Sequence, residues 1–290
     1  MKAIDYKNLA IQALKMATLV RRRQPAPIPG DAPVDPVEIA RNSGCMVTFK
    51  SLPSLEGLYV RRTPGLILVG SQRPAGRRSF TIAHELGHHL FGHGTSLDEL
   101  TAQSVTGKNV EDQLVDRFAG YVLMSRDAVR RALFVRGFQP NTLTPSQAFL
   151  LASQFGVGYS AFLGHVLFSL REISEATHAR LSAVGVSEIK KNYGVGPSAN
   201  LVIADKKWTG RSIDLEIGDC LVAPVGVIED GKSLVPGAEN DCYQKFIAKK
   251  PGVTRVVDKH DDWSSYVRIS QRWYEGHAEY RFLDVPEEEA

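Results

Sequence analysis

Residues 84–88 read His-Glu-Leu-Gly-His. On a helix, side chains four apart stack on one face, so His84 and His88 direct two imidazoles at one point. Such a pair is the beginning of a metal site. Glu85 projects from a neighbouring part of the same face, within reach of a water at that metal, which it would deprotonate as general base. Five residues therefore specify two ligands and a base. A hydrolytic zinc site takes a third protein ligand and leaves the fourth position to water or substrate, so another histidine or carboxylate must come from elsewhere in the chain.

The elements around the motif can be read from periodicity and turn chemistry. Residues 80–83 lead into a helix expected to run to about Phe91, where Gly92 and Gly94 break it, and residues 73–79 before it read as a polar loop. Residues 45–49, 58–60 and 66–69 alternate as short strands, with a turn at Thr63-Pro64-Gly65. Residues 110–124 have helical periodicity, and their acids Glu111, Asp112 and Asp116 are the nearest candidates for the third ligand. Upstream, residues 5–20 form an amphipathic helix ending in Arg21-Arg22-Arg23, a triplet read as a solvated helix end. Residues 25–33 are a proline-rich connector. A short helix follows through Ala40, with Asp35 as N-cap, Pro36 as first residue, Glu38 closing a capping box and Gly44 after its end.

Taken together, Phe80-Thr81-Ile82-Ala83-His84-Glu85-Leu86-Gly87-His88, the strands at 57–60 and 66–68, and residues 112–124 resemble the ImmA/IrrE-type zinc metallopeptidase family. The resemblance covers about residues 34–125. Aligned on Phe118-Ala119, it places the third zinc ligand on Asp112, with Glu111 as the alternative. The sequence departs from the family pattern in having Asp112 where Glu is usual, Asp116 where Asn is usual and Ser125 where Pro is usual, and in having Gly70-Ser71 after the third strand where the family has Asn. Aspartate is one methylene shorter than glutamate, so the two helices must approach more closely.

The resemblance implies a zinc-dependent endopeptidase with His84, His88 and Asp112 on Zn2+ and Glu85 as the catalytic base. Oxyanion stabilisation could fall to Tyr59, Tyr121 or His89. His89 sits off the ligand face, and the spacing of His93 does not match the longer three-histidine pattern. Members of the family cleave a repressor carrying a helix-turn-helix domain, so the implied partner is such a repressor and the implied outcome derepression of a stress, mobile-element or phage operon.

Beyond the motif, residues 144–170 look like a helix-turn-helix. The second helix of that pair, residues 159–170, has no Arg or Lys to meet bases or phosphates, so a structural helical pair is expected rather than a DNA reader. Glycines 194 and 196 with Pro197 mark a boundary, after which short strands are expected at 201–203, 212–215, 220–222, 243–247, 254–257, 266–269 and 280–283. Trp208, Trp263 and Trp273 are read as core, and Glu287-Glu288-Glu289 as a frayed tail.

The expected fold is α+β. A zincin-like metallopeptidase domain with a small sheet spans 1–135, a helix-turn-helix-like segment 136–192, and a mainly β domain that senses a signal or chooses the partner 193–290. At 290 residues and 43% hydrophobic, the chain can bury such a core. A net charge of +3 neither requires nor excludes an acidic partner. Three scattered cysteines and the lack of any roughly 20-residue apolar run lead to a cytoplasmic expectation, without export or membrane insertion. The competing reading is a non-proteolytic DNA- or protein-binding regulator whose metal is structural or absent.

Overall fold

The computed structural model of the chain describes residues 5–25, 28–29, 31–99, 109–258, 260 and 263–283, with the backbone alone at 97–99. The first part of the chain runs α1 (Tyr6–Arg22), α2 (Pro36–Asn42), β1 (Cys45–Lys50), β2 (Leu55–Val60), β3 (Gly65–Gly70), α3 (Ala75–Leu90), β4 (Ser96–Glu99) and α4 (Val110–Leu123). Then come α5 (Arg126–Phe134), α6 (Pro145–Phe155), α7 (Tyr159–Gly164) with a wider π turn over His165–Ser169, α8 (Glu175–Ser182) and α9 (Val186–Asn192). The remainder is β5 (Leu201–Ile203), β6 (Ile213–Glu216), β7 (Cys220–Ala223), β8 (Val227–Glu229), β9 (Leu234–Glu239), β10 (Gln244–Ala248), β11 (Gly252–Asp258), β12 (Ser264–Ser270) and β13 (Gly276–His277). The architecture is mixed α+β.

The sheet that backs the motif helix has the order β13-β1-β3-β2-β4. β1 and β3 alternate buried and half-buried side chains, the period-2 pattern of strands with one face on a core. They pair in parallel, Cys45 opposite Gly65, while β2 returns antiparallel onto β3 and β4 onto β2. Val47, Ile67, Val69, Ile82, Leu86, Phe118 and Val122 belong to one core that continues through α6, α7 and α9 to Leu201 and Ile203 of β5. A second core, built on Trp208, Leu215, Phe246, Val256, Trp263 and Val267, fills the space between two four-stranded sheets, β5-β7-β10-β9 and β6-β12-β11-β8. Among the described residues, no single helix is long and apolar enough to cross a membrane.

Several expectations are corrected. Residues 73–79 are not all loop, because α3 begins at Ala75 after Pro74 and has no side-chain cap. Its polar first turn is held by tertiary contacts instead: Arg78 donates to Ser71 O at 3.1 Å and pairs with Glu216 of β6 at 2.6 Å. Arg21 is not solvated. At 4% exposed, it donates to the carbonyls of Val122, Pro29 and Ala32 at 2.9, 2.9 and 2.6 Å, and burial pulls its pKa down to about 10. Val122 lies in the last turn of α4, where helix carbonyls lack intrahelical donors, so Arg21 serves a helix end other than its own.

Residues 280–283 are not a strand. β13 precedes them and pairs with β1, Thr48 opposite His277, and a 3-10 turn then covers Ala278–Tyr280. Trp208 and Trp263 are core, but Trp273 is 53% exposed with φ +54, its ring under the Arg272 guanidinium. Helices α5, α8 and α9 and strands β4, β8, β9 and β13 were not anticipated; none is longer than nine residues. The tail at 287–289 and three connector positions, 26, 27 and 30, lie outside the described residues.

The π turn carries His165, which ties the helical segment to α4. Its Nε2–H donates to Met124 O at 2.9 Å, and its ring fills the space left by Gly120, where a Cβ would stand 2.5 Å from Nδ1. Burial pushes the His165 pKa down to about 4. The unfolded imidazole takes a proton below about 6.5, whereas the folded one refuses it until about 4. Stability present at neutral pH is therefore lost as pH falls through that window, by up to about 1.4 kcal/mol per pH unit. In urea melts of metal-free protein at pH 7 and pH 5, His165→Leu should show a smaller loss than the wild type; equal losses would contradict this origin.

Candidate metal centre

Helix α3 forms because Phe80, Ile82, Ala83, Leu86 and Leu90 supply an apolar stripe, and it is buried from Thr81 to His88 between the sheet and α4. At Gly87 the helices come so close that a Cβ would stand 2.7 Å from Val115 Cβ and 3.1 Å from Phe118 Cδ1. Only glycine permits that approach. Asn109 caps α4 by accepting Asp112 N–H at 2.8 Å, placing Asp112 in the first helical turn, where the dipole favours a carboxylate.

The geometry brings His84, His88 and Asp112 together. Their ligand atoms lie within 4.8 Å of one another. His84 Nε2 and His88 Nε2 are 3.2 Å apart, and Asp112 Oδ1 is 3.6 Å from His88 Nε2. Both rings are buried, at 5% and 3% exposed, while the Asp112 side chain, 33% exposed, sits at the rim. Asp116 Oδ1 is 2.9 Å from His84 Nδ1. The proton on that ring belongs on Nδ1 beside the carboxylate, which leaves Nε2 with its lone pair toward His88. Burial, then the neighbouring His84 and His93, hold the His88 pKa down to about 3, so its ring is neutral at pH 7 and able to donate a lone pair. Two nitrogens and one carboxylate oxygen are a donor set that fits a divalent ion such as zinc.

Glu85 is fully buried beside the pair, and Ser96 Oγ–H of β4 donates to its Oε2 at 2.9 Å. His93 Nδ1 lies 2.9 Å from His88 Nδ1 and 3.9 Å from Glu111 Oε2. These three also form a group of potential ligands, on the opposite nitrogen of His88, but Glu111 is 61% exposed. Glu111 is thus directed to His93 and Asp112 to the histidine pair. His89 Nε2–H donates to Ser43 O at 3.2 Å, and its Nδ1 accepts from Tyr59 O–H at 2.9 Å, so both groups are committed away from the pair. Tyr121 packs its ring edge-on against His165. The three anticipated oxyanion donors are thus engaged with other partners, Tyr59 and His89 with each other and Tyr121 with His165. Ser96 and the bonding roles of Asp116 and His93 were missed. Asp116 carried a signal, lying four residues after Asp112 on the same helical face.

Compared with known proteins, residues 40–167 match the peptidase family described as the IrrE N-terminal-like domain. This stretch belongs to that family. The IrrE-like domain extends from the end of α2 into the π turn, so it includes β1 to β4 of the five-stranded sheet, α3, α4, α5 and the helical pair of α6 and α7, but not β13. No curated protein matches the chain. Membership points to a metallopeptidase, and the three donors beside Glu85 offer the IrrE-like domain a place for its metal. Asp116→Asn would keep the shape of the His84 partner and lose its charge. Metal affinity, measured by competition with a chromophoric chelator, is expected to fall about tenfold; unchanged affinity would remove Asp116 from the centre.

Proposed function

We propose that the chain is a zinc-dependent endopeptidase, with His84, His88 and Asp112 as the metal ligands and Glu85 as the general base. The observation that carries this reading is the convergence of two buried Nε2 atoms with Asp112 at one point beside Glu85. When bound, zinc supplies Lewis-acid polarisation of the scissile carbonyl and a more acidic water. Glu85 accepts the water proton on a carboxylate oxygen and returns it to the leaving amine. Ser96 fixes Oε2 during this shuttle. Because Ser96 begins β4, the last strand of its sheet among the described residues, an extended peptide added along β4 would run past the base.

The proposed substrate is a helix-turn-helix transcriptional repressor whose limited cleavage derepresses a stress, mobile-element or phage operon. The family resemblance supports this choice, and the C-terminal sheets are assigned to sensing a signal or selecting that partner. Cys45 and Cys220 are buried free thiols and Cys242 an exposed one, an arrangement that supports a reducing, cytoplasmic setting. The test is incubation of the zinc-loaded protein with the repressor encoded beside it, with and without chelator, read by intact mass. Two new fragments that chelator abolishes are expected. A repressor left whole under every metal condition would overturn the proposal.

A further inference from the structure

Away from the metal centre lies a cavity of about 590 Å³, a volume in the range of small-molecule sites. Three parts of the fold enclose it: the first turns of α3, the junction of α6 with α7, and β6 together with the segment after β13. Phe80, Phe149, Val157, Leu215 and Phe282 are among its apolar walls.

Its charged groups are nearly all accounted for. Glu216 pairs with Arg78, and Asp219 accepts from the backbone and side chain of Asn200 and from Glu216 N. Arg77 reaches outward to Glu56 at 3.1 Å, and Lys190 donates to Pro197 O. Asp214 receives two bonds from Arg268, at 2.6 and 2.8 Å, and Asp35 receives one at 2.8 Å besides capping α2. Arg281 stands 3.7 Å from Asp35 and 4.0 Å from Asp214.

Arg211 is the exception. Its side chain is 9% exposed, and it lies over Gly156, in the space a Cβ would take. Nη2 shares Asp214 at 3.3 Å, but Nη1 is buried without an acceptor among the described residues. The cluster therefore sets three guanidiniums (Arg211, Arg268, Arg281) against two carboxylates (Asp35, Asp214), one positive charge in excess. An unmet guanidinium donor in a mostly apolar cavity calls for one anionic acceptor on an apolar body.

We propose that this cavity binds a small amphipathic organic acid, its single carboxylate on Arg211 Nη1 and its apolar body against Phe80, Phe149 and Leu215. A planar monoanion matches both the single excess charge and the guanidinium fork, whereas a phosphate dianion would overfill the site. Its occupant touches the first turns of α3, the helix whose other end holds His84 and His88.

The test uses the full chain and calorimetric titration with naphthalene-2-carboxylate and its neutral carboxamide. The acid should bind saturably and about tenfold more tightly than the amide. Arg211→Gln should remove that advantage and leave amide affinity unchanged, while Ala161→Phe, which fills the cavity from a half-buried position on its wall, should weaken both. His88→Ala should bind the acid as the wild type does, separating this site from a carboxylate on the metal. The proposal is overturned by no saturable binding at millimolar acid, by equal affinity for acid and amide, or by acid binding that is lost in His88→Ala. Circular dichroism of each variant confirms folding, and should Arg211→Gln not fold, undiminished binding to Ala161→Phe overturns the proposal by itself.

Discussion

Glu85→Gln is expected to slow peptide hydrolysis by ~10²–10⁴-fold, the usual contribution of a positioned general base. The substitution keeps the size of a side chain that is fully buried, and the amide oxygen can still accept from Ser96. What it removes is the ability to take a proton. Turnover should therefore fall with little change in KM, and metal content, measured on the same preparation, should stay stoichiometric. A variant that cut the repressor as fast as the wild type would refute a Glu85 base, and with it the proposed mechanism.

His88→Ala should act at the other level, by emptying the centre. His88 presents Nε2 to His84 and Asp112 and Nδ1 to His93, so its loss removes the middle of the cluster. Zinc that binds only the folded state raises the melting temperature by mass action, and chelator reverses it. The wild type should show that dependence and His88→Ala should not, with undetectable cleavage. His89→Ala is the control from the next position. It loses two hydrogen bonds, to Tyr59 and Ser43, at a cost of about 1–3 kcal/mol, yet should keep its metal. Metal retained by His88→Ala, or lost equally in both variants, would locate the centre elsewhere.

What the sequence discloses follows from the range of the interactions involved. The His84–His88 stacking, the Asp35 cap and the alternation in β1 and β3 are local, set by neighbours within a turn or a strand, and they can be read without the fold. The start of α3 could not be, because the partner that fixes Arg78 is Glu216, 138 residues away. Arg21 was hidden because its triplet has the composition of a solvated helix end, whereas the carbonyls it meets lie beyond its own helix, 101 residues away in α4 and 8 and 11 residues away in the connector. The Tyr280–Leu283 strand failed for a different reason. Alternating aromatic residues there have the right pattern, but the chain pairs with β1 just before them, at Gly276–His277, and then enters a 3-10 turn over Ala278–Tyr280.

Gly87 answers the question raised by the short Asp112. With no Cβ between α3 and Val115, the backbones can close by the missing methylene, so a site with aspartate in place of glutamate remains within reach of both histidines.

The pairing of β13 with β1 bears on how this protein can be taken apart. The sheet behind α3 is assembled from strands more than two hundred residues apart, Thr48 beside His277, so one of its edge strands arrives only after both C-terminal sheets have been traversed. A chain shortened before that point would display β1 as a bare, apolar-backed edge, an invitation to stick to its own copies. Excising the peptidase unit thus trades a strand for an aggregation seam, and closure of the sheet becomes a late, long-range event in folding.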